Sequence, residues 1–214
     1  MTDGRDGRVA RGERTRSAVL RRAADIASIE GLDGLSIGRL AADLSVSKAG
    51  VFAHFGSKEA LQLATVRHAA ERFTDAVVTP VLAVPDGLPR LVALCDRWLA
   101  YSAERVFPGG CFFFGAAAEF DARPGPVRDE LAAARRAWLD LYEAAAAAAQ
   151  RRGEIDAGVD PAELAFELDA LGMAANLHAQ LCDEPGIHAR VRAMMLARLR
   201  AVATADHPAL TTEG

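Results

Sequence analysis

The sequence has few cysteines, no long apolar run and no apolar stretch at its start, and each of the missing features is typical of another class of protein. Its 214 residues include three cysteines, Cys95, Cys111 and Cys182, which lie far apart, so neither a disulfide framework nor a structural zinc site is expected. The longest apolar runs, 111–118 and 144–149, are much shorter than the roughly 20 residues that span a bilayer. The polar first residues also lack the apolar stretch of a secretory signal. We therefore expect a cytoplasmic protein with no membrane span, metal or cofactor.

Basic residues are slightly outnumbered and unevenly placed. The chain carries 25 Lys and Arg against 29 Asp and Glu, a net charge of −4. Residues 1–66, however, hold ten basic and eight acidic side chains, including both lysines, Lys48 and Lys58. A basic first third on an acidic body favours a local contact with a polyanion. Because no HExxH, P-loop, dinucleotide motif or nucleophile–base pairing occurs, we do not expect an enzyme.

Hydrophobic periodicity predicts an all-α fold, because no segment alternates with period two and β-branched residues are sparse. Proline and glycine turns separate the predicted helices, which cover about 15–30, 36–44, 47–55, 58–80, 88–104, 111–122, 126–152, 161–184 and 186–204. Residues 1–14 are expected to form a flexible basic arm with Arg5, Arg8, Arg11 and Arg14. This arm either enters a minor groove or is simply solvated. The tail, 206–214, is expected to fray.

Residues 36–55 fit a helix-turn-helix, in which two short helices follow a longer supporting helix. Its apolar inner face is predicted to consist of Leu40, Ala41, Leu44, Val46, Val51 and Phe55. The outer face of the second helix carries small and polar residues, and Lys48 there suits guanine or phosphate. Lys58 begins the next helix, where it holds a phosphate or is only solvated. For His54, packing between helices stays open beside phosphate binding.

The run LSIGRLAADLSVSKAGVFAHFGSKEAL, residues 35–61, closely resembles the DNA-binding domain of the TetR family of transcriptional regulators. The residues that match the family pattern are Val46, Ser47, His54, Phe55, Ser57, Lys58, Glu59 and Leu61. Two positions depart from it. Phe52 replaces the usual tyrosine and so lacks its hydroxyl, and Gly38 stands where many relatives have a larger polar or basic residue.

The resemblance implies an N-terminal three-helix helix-turn-helix DNA-binding domain, 15–57, and a C-terminal helical ligand-binding and dimerisation domain, 58–205. It also implies a homodimer that binds a double-stranded palindromic operator and is released by a small, largely apolar effector. The effector would shift helix 58–80. The expected DNA contacts are Ser36, Arg39, Ser47, Lys48, Ala49, Gly50, Phe52, His54 and Lys58. The alternative is an architectural or protein-binding module that retains the helix-turn-helix as a scaffold.

Aromatic residues beyond position 90 indicate an effector pocket. All Trp and Tyr residues lie there in helical pairs, and five phenylalanines lie between 107 and 120. The expected lining is Trp98, Tyr101, Phe107, Cys111, Phe112, Phe114, Trp138, Tyr142, Phe166, Asp169, Met173 and Asn176. Simple core filling is the alternative for each of these side chains. Cys111 fits a small buried apolar residue better than a redox sensor.

The last two long helices carry an apolar stripe that, by the resemblance, forms a four-helix bundle with the partner subunit. The expected interface residues are Leu168, Leu171, Ala175, His178, Val191, Met195, Leu199 and Val202. Asp169, Asn176 and His178 are polar residues on these otherwise apolar faces, and buried polar groups need partners. They either hydrogen-bond internally or across the dimer, or they contact the ligand.

Overall fold

The computed structural model describes the backbone of residues 3–211 and the side chains of Ala10 and of residues 12–211. Within these residues the chain forms ten α-helices and no strand, which confirms the predicted all-α fold. The helices are α1 (Asp3–Glu30), α2 (Ile37–Asp43), α3 (Lys48–Phe55), α4 (Lys58–Phe73), α5 (Thr79–Leu82), α6 (Leu88–Ala103), α7 (Phe112–Phe120), α8 (Pro126–Arg151), α9 (Pro161–Leu181) and α10 (Ile187–Val202). None of these helices is long and apolar enough to cross a membrane.

The first helix begins much earlier than predicted. Because α1 starts at Asp3, the residues expected to form a flexible arm are helical from that point. Arginine is a good helix former, and extending an existing helix avoids the cost of nucleating a new one. The prediction of a flexible arm is therefore wrong over 3–14. Met1, Thr2 and the side chains of Arg5, Arg8 and Arg11 lie outside the described residues.

The predicted helix 58–80 is interrupted by a π-helical turn at Thr74–Val78. Pro80 has no N–H, so it cannot donate a hydrogen bond to the carbonyl of Ala76, four residues earlier. Arg97 Nη2 donates to this carbonyl instead, at 2.6 Å. The proline accounts for the interruption, and the prediction of one uninterrupted helix is wrong.

The chain end after α10 is fixed, although fraying was predicted. Leu210 lies in a 3₁₀ helix, Pro208–Leu210, and its side chain is buried. Its carbonyl accepts a hydrogen bond from Arg200 Nε at 3.1 Å. One anchoring leucine produces no periodic pattern, so sequence periodicity missed it. Residues 212–214 lie outside the described part of the chain.

The chain consists of two compact units that differ from the predicted domains. The first unit comprises the residues up to Glu71 together with Phe107–Ala132, and the second comprises Arg72–Val106 and Ala133–Gly214. The predicted boundary at residue 58 assigned all of α4 and α7 to the second domain. In the structure α7 packs against α1 within the first unit.

Close backbone contact joins the loop before α7 to the end of α1 in the first unit. The Gly109 N–H donates a hydrogen bond to Ser28 Oγ at 3.1 Å. A Cβ atom at position 109 would lie only 1.9 Å from the Ser28 carbonyl oxygen. Only glycine therefore fits at this contact.

The second unit is built around α6, α9 and α10. Gly172 of α9 allows close packing on α6, because a Cβ atom there would lie 3.0 Å from Cε3 of Trp98. Arg192 of α10 donates through Nε to Asp96 of α6 at 2.7 Å. These contacts set the frame for the buried aromatic and polar residues of this unit.

We predict that Gly109→Ala lowers the free energy of unfolding by about 1–3 kcal/mol, because the added methyl group overlaps the backbone at Ser28. Gly115→Ala is the matched control, since nothing lies within 4 Å of a Cβ at this position of α7. Its helix propensity should raise stability by up to about 1 kcal/mol. Urea unfolding followed by circular dichroism measures both variants. Equal midpoints for the two would contradict the backbone contact.

Candidate functional site

Serine side chains begin both helices of the helix-turn-helix. Ser36 Oγ accepts a hydrogen bond from the Arg39 N–H at 3.1 Å at the start of α2. Ser47 Oγ accepts one from the Gly50 N–H at 3.0 Å at the start of α3. Each serine thereby satisfies a backbone donor that the helix itself leaves unpaired. A capping hydroxyl retains its own proton, which remains available to a phosphate.

The turn between α2 and α3 is tight and stabilised by the backbone. Ser45 has a φ of 54°, and the Val46 N–H donates to the Ala41 carbonyl at 3.0 Å. Of the predicted inner-face residues, four are buried and two are half-buried. The buried ones are Leu40, Ala41, Val51 and Phe55, and the half-buried ones are Leu44 and Val46. The inner face of α3 is thus packed within the unit, and its opposite face is left for other contacts.

The outer face of α3 is open to solvent. Phe52 is 55% exposed, which is unusual for a large apolar side chain. Among the predicted DNA contacts, the exposed residues are Ser36, Ser47, Lys48, Ala49, Phe52, His54 and Lys58, and the half-buried ones are Arg39 and Gly50. The structure therefore brings the predicted set together on one unit, around one short helix.

Gly38, one of the two departures from the family pattern, lies close to Lys48. A Cβ atom at position 38 of α2 would lie 4.0 Å from Cε of Lys48. The aliphatic stem of this lysine therefore passes close to the α2 backbone. His54 is similarly close to α1, since its Cε1 lies 3.9 Å from a Cβ placed on Gly12.

Two of the predicted DNA contacts, Arg39 and Lys58, already have acidic partners in the same unit. Arg39 forms a two-pronged ion pair with Glu30, with Nη2 2.7 Å from Oε1. The hydrogen bond from Arg39 lowers the pKa of the Glu30 carboxyl. Lys58 Nζ donates to the Asp33 carbonyl at 2.8 Å and lies 3.4 Å from its carboxylate. A phosphate has to compete with these acids, which the sequence pattern did not indicate.

A shallow groove, which the sequence pattern did not indicate, lies between α1 and the turn of the helix-turn-helix. Its lining consists of Arg14, Thr15, Ala18, Leu44 and Val46. Exposed Arg16, two residues after Arg14 on α1, has its guanidinium carbon 5.7 Å from the ring centre of Phe55. The helical conformation of 3–14 places Arg14 and Arg16 on a fixed helix. Arg14 was predicted to lie in the flexible arm and Arg16 in the first helix, whereas the structure places both in α1.

The aromatic residues predicted to line one pocket belong to two different units. Phe107, Cys111, Phe112 and Phe114 lie in the first unit, where the ring centres of Phe107 and Phe112 are 5.6 Å apart. The remaining predicted residues lie in the second unit. Within that unit, Phe166 is 62% exposed and therefore does not contribute to an interior. Rings of the sequence cluster 107–120 therefore meet one another in the first unit, whereas the other predicted residues belong to the second unit.

An aromatic cluster does form inside the second unit. Phe73 stands edge-on to both Tyr101 and Trp138, with ring centres 5.1 and 5.0 Å apart. Tyr142 stands edge-on to Trp138, also at 5.0 Å. Such perpendicular pairs are a favourable arrangement of aromatic rings. Phe73, which sequence analysis did not single out, lies at its centre.

Asp169 is a buried carboxylate at the edge of this cluster. It is 3% exposed and accepts hydrogen bonds from Trp138 Nε1 at 3.0 Å and from Arg135 Nη1 at 2.7 Å. The second guanidinium nitrogen of Arg135 contacts the other carboxylate oxygen. Of the alternatives for Asp169, internal hydrogen bonding is the one that the structure shows.

A second set of hydrogen-bonded polar side chains joins three helices of this unit, α6, α9 and α10. Ser102 Oγ donates to Asn176 Oδ1 at 3.2 Å, and His188 Nε2 lies 3.0 Å from the same hydroxyl oxygen. Burial lowers the pKa of His188, so the ring is favoured in its neutral form. His178, which was expected on a buried face, is exposed, and its Nδ1 lies 3.1 Å from Glu184.

Cys95 and Cys111 are buried, whereas Cys182 is exposed. Cys95 is 1% exposed, and burial raises the pKa of its thiol to about 12. A thiol with such a pKa carries almost no thiolate at neutral pH and is a poor nucleophile. Cys111 is buried in the first unit, as expected for a small apolar residue.

Most of the residues predicted for the dimer interface are buried inside their own unit. Leu168, Ala175, Val191, Met195, Leu199 and Val202 are each at most 6% exposed in the single chain. In the single chain these side chains leave almost no surface to a partner, so their burial does not favour the predicted interface residues, which stay a prediction. Leu171 is half-buried, and His178 is exposed. Sequence periodicity identified two apolar faces of α9 but did not distinguish the inner one from the outer one.

We predict that Arg135→Ala lowers the free energy of unfolding by about 1–3 kcal/mol, because it leaves the Asp169 charge without its partner. The Arg135 side chain is itself 38% exposed, so the loss should be smaller than for a fully buried pair. The adjacent exposed Arg136 gives the control Arg136→Ala, expected within about 0.5 kcal/mol of the wild type. Denaturant unfolding measures both. A loss no greater for Arg135→Ala than for the control would exclude this role.

Comparison with known families agrees with this architecture. The family described as "Bacterial regulatory proteins, tetR family" matches residues 19–65, which span α1 to α4. The family "Tetracyclin repressor-like, C-terminal domain" matches residues 87–195. Among the curated proteins, none matches this sequence.

Solved structures show the same fold at low sequence identity. A TetR transcriptional regulator from Chloroflexus aurantiacus is 24% identical, with a TM-score of 0.84, covering 91% of this chain and 98% of that one. A transcriptional regulator from Saccharomonospora viridis in complex with choline is 22% identical, with a TM-score of 0.74 and coverages of 90% and 99%. AibR in complex with isovaleryl coenzyme A and operator DNA is 22% identical, with a TM-score of 0.67 and coverages of 85% and 95%.

The two matched families together extend over the helix-turn-helix and most of the helices that follow it. They describe DNA-binding regulators, not enzymes. With the exposed outer face of α3 and the all-helical architecture, they identify the protein: this chain belongs to the TetR family of transcriptional regulators.

Proposed function

We propose that this protein is a homodimeric repressor that binds a palindromic operator and is released by a small, largely apolar effector. The observation that carries the proposal is the asymmetry of α3. Its inner side is buried through Val51 and Phe55, whereas its outer side presents Lys48, Ala49 and Phe52 to solvent. A helix held on one face and open on the other is what a major-groove reader requires.

The dimensions and chemistry of α3 suit a major groove. Eight residues give a helix about 12 Å long, comparable with the roughly 12 Å width of that groove. Ala49 and Phe52 present apolar atoms of the kind that contact the methyl group of thymine, and Lys48 suits guanine O6 and N7. In a two-fold symmetric dimer, half-site centres should lie about 34–36 Å or a multiple of that apart.

The aromatic cluster of the second unit supports a small-molecule effector. Phe73, Tyr101, Trp138 and Tyr142 form a set of aromatic rings in mutual contact, and Asp169 with Arg135 forms a charged edge beside them. An apolar lining with a few placed polar groups is the usual composition of a ligand site. The similar structures from Saccharomonospora viridis and of AibR contain choline and isovaleryl coenzyme A, respectively, which supports regulation by small molecules here as well.

The exposed apolar face of α9 and α10 supports the homodimer. Phe166, Leu177 and Leu181 are 62%, 41% and 74% exposed, and their spacing of eleven and four residues places them along one side of α9. Met194 of α10 is 47% exposed. An apolar surface stripe on adjacent helices is typical of an interface between subunits. We propose this set in place of the residues buried within the unit.

For DNA binding, we predict that Lys48→Ala weakens the binding of a duplex selected by the wild-type protein from a random pool about tenfold, through loss of a base or phosphate contact. Lys58→Ala should weaken all duplexes about equally and reduce the salt slope by about one. Fluorescence anisotropy measures both, with Arg136→Ala as the charge-matched control. Unchanged binding by Lys48→Ala would exclude that contact. Sequence-independent, strongly salt-sensitive binding by the wild type would favour the architectural alternative.

For the dimer, we predict that Leu177→Glu converts the protein to a monomer, because a carboxylate on an apolar interface is buried without a partner. Leu82→Glu is the control, since Leu82 is 53% exposed on α5, away from α9 and α10. Light scattering coupled to gel filtration gives the mass of each variant. A monomeric wild type, or a Leu177→Glu variant that stays dimeric, would refute the proposed interface.

A further inference from the structure

The turn between α1 and α2 is held by the carboxylate of a residue far away in the sequence. The Leu32 N–H donates to Glu119 Oε2 at 2.7 Å, and the Asp33 N–H donates to Glu119 Oε1 at 2.8 Å. Glu119 lies near the end of α7, within the same unit as the turn. Both carboxylate oxygens thus accept a backbone donor, and hydrogen bonds to a charged acceptor are the stronger kind.

The backbone of the turn is shaped to receive this carboxylate. Gly31 has a φ of +81°, a conformation that residues with a side chain rarely adopt. A Cβ atom on Gly31 would lie 2.8 Å from Glu119 Oε2. Glycine at position 31 therefore both allows the turn and leaves space for the acceptor.

Residues on either side of α7 also contact the end of α1 and the α1–α2 turn. Arg123, three residues after the end of α7, forms an ion pair with Asp33, and its hydrogen bond lowers the pKa of the Asp33 carboxyl. The backbone contact between Gly109 and Ser28, described above, lies just before α7. Gly109 in the loop before α7, Glu119 in the last turn of α7 and Arg123 beyond α7 therefore all contact the end of α1 or the α1–α2 turn.

The α1–α2 turn and the end of α1 also contact residues that were predicted to bind DNA. The carbonyl of Asp33 accepts the hydrogen bond from Lys58, and Glu30, at the end of α1, pairs with Arg39. The chain then leaves the turn and enters α2 at the Ser36 cap only a few residues later. A change in the conformation of residues 30–33 thus reaches Arg39 and Lys58 through direct contacts, and reaches α2 along the chain.

We propose that Glu119 is a positioning residue for DNA binding: its carboxylate holds the α1–α2 turn in the conformation that presents α2 and α3 to the duplex. The inference rests on the proposed DNA-binding function. Without the carboxylate the turn samples other conformations, and the observed affinity falls with the fraction of competent molecules. Helix α7 belongs to the region matched by the C-terminal family model. The hydrogen bonds to Glu119 therefore connect this region directly to the turn before α2, independently of α4.

The test compares Glu119→Gln with Glu71→Gln in the full-length protein. Glutamine keeps the shape but can accept only through one oxygen, so its NH₂ group faces the second backbone N–H. Glu71 on α4 is 75% exposed and provides the same change of charge in the same unit. The probe is a duplex selected by the wild-type protein from a random pool, with affinity measured by anisotropy well below the unfolding temperature and corrected for the active fraction.

We expect Glu119→Gln to raise the Kd at least about fivefold, and Glu71→Gln to leave it within about twofold. Amide hydrogen exchange should accelerate about tenfold or more at Leu32 and Asp33, while the core of α1 keeps its protection. A residue that only stabilises the fold would lower the unfolding temperature without changing the Kd of the folded fraction.

The outcomes separate the two proposals. If the wild type selects no duplex, the proposed function fails. If the wild type binds but Glu119→Gln has an unchanged Kd, or unchanged exchange at Leu32 and Asp33, the positioning role of Glu119 is refuted. Should Glu119→Gln fail to fold, Glu119→Asp, which keeps the charge but withdraws it by one methylene, is judged by the same two measurements.

Discussion

The reading helix α3 depends on contacts outside itself. Eight residues are too few to form a stable helix in water, because nucleation costs more than so few hydrogen bonds return. The Ser47 cap and the buried side chains of Val51 and Phe55 supply what the helix lacks. Since all of these act on the inner side or at the first turn, Lys48 and Phe52 need not contribute to folding and are left available for binding. The outer face of α3 is therefore held in position by contacts made at its first turn and on its inner side.

The helices and the helix-turn-helix were predictable because their signals are local. Ser36, Ser47 and Ser57 cap the helices that follow them, and the apolar period identified Val51 and Phe55 as inner residues. The interruption after Phe73 was also encoded locally, by Pro80, but it needs the distant Arg97 to satisfy the carbonyl of Ala76. Local patterns identify where an element starts and ends, whereas the partner that completes it comes from elsewhere in the chain.

What could not be predicted depends on pairing between distant segments. Periodicity shows that α9 has two apolar faces, yet it does not show that Leu168 is buried within the unit while Leu177 is exposed. In the same way, aromatic density around residue 112 did not indicate that Phe73 would join Trp138. The hydrogen bonds from the Leu32 and Asp33 amides to Glu119 join positions more than eighty residues apart, and no periodic pattern in the sequence indicates them.

The central claim is that the outer face of α3 meets DNA. Hydrogen–deuterium exchange of the protein with and without its selected duplex tests it most directly, because contacts with the groove slow exchange in the segment they cover. The account predicts new protection centred on residues 47–54 and on the start of α4, with little change in the interior of the second unit. Protection confined to the second unit, or none at a saturating concentration of duplex, would contradict it.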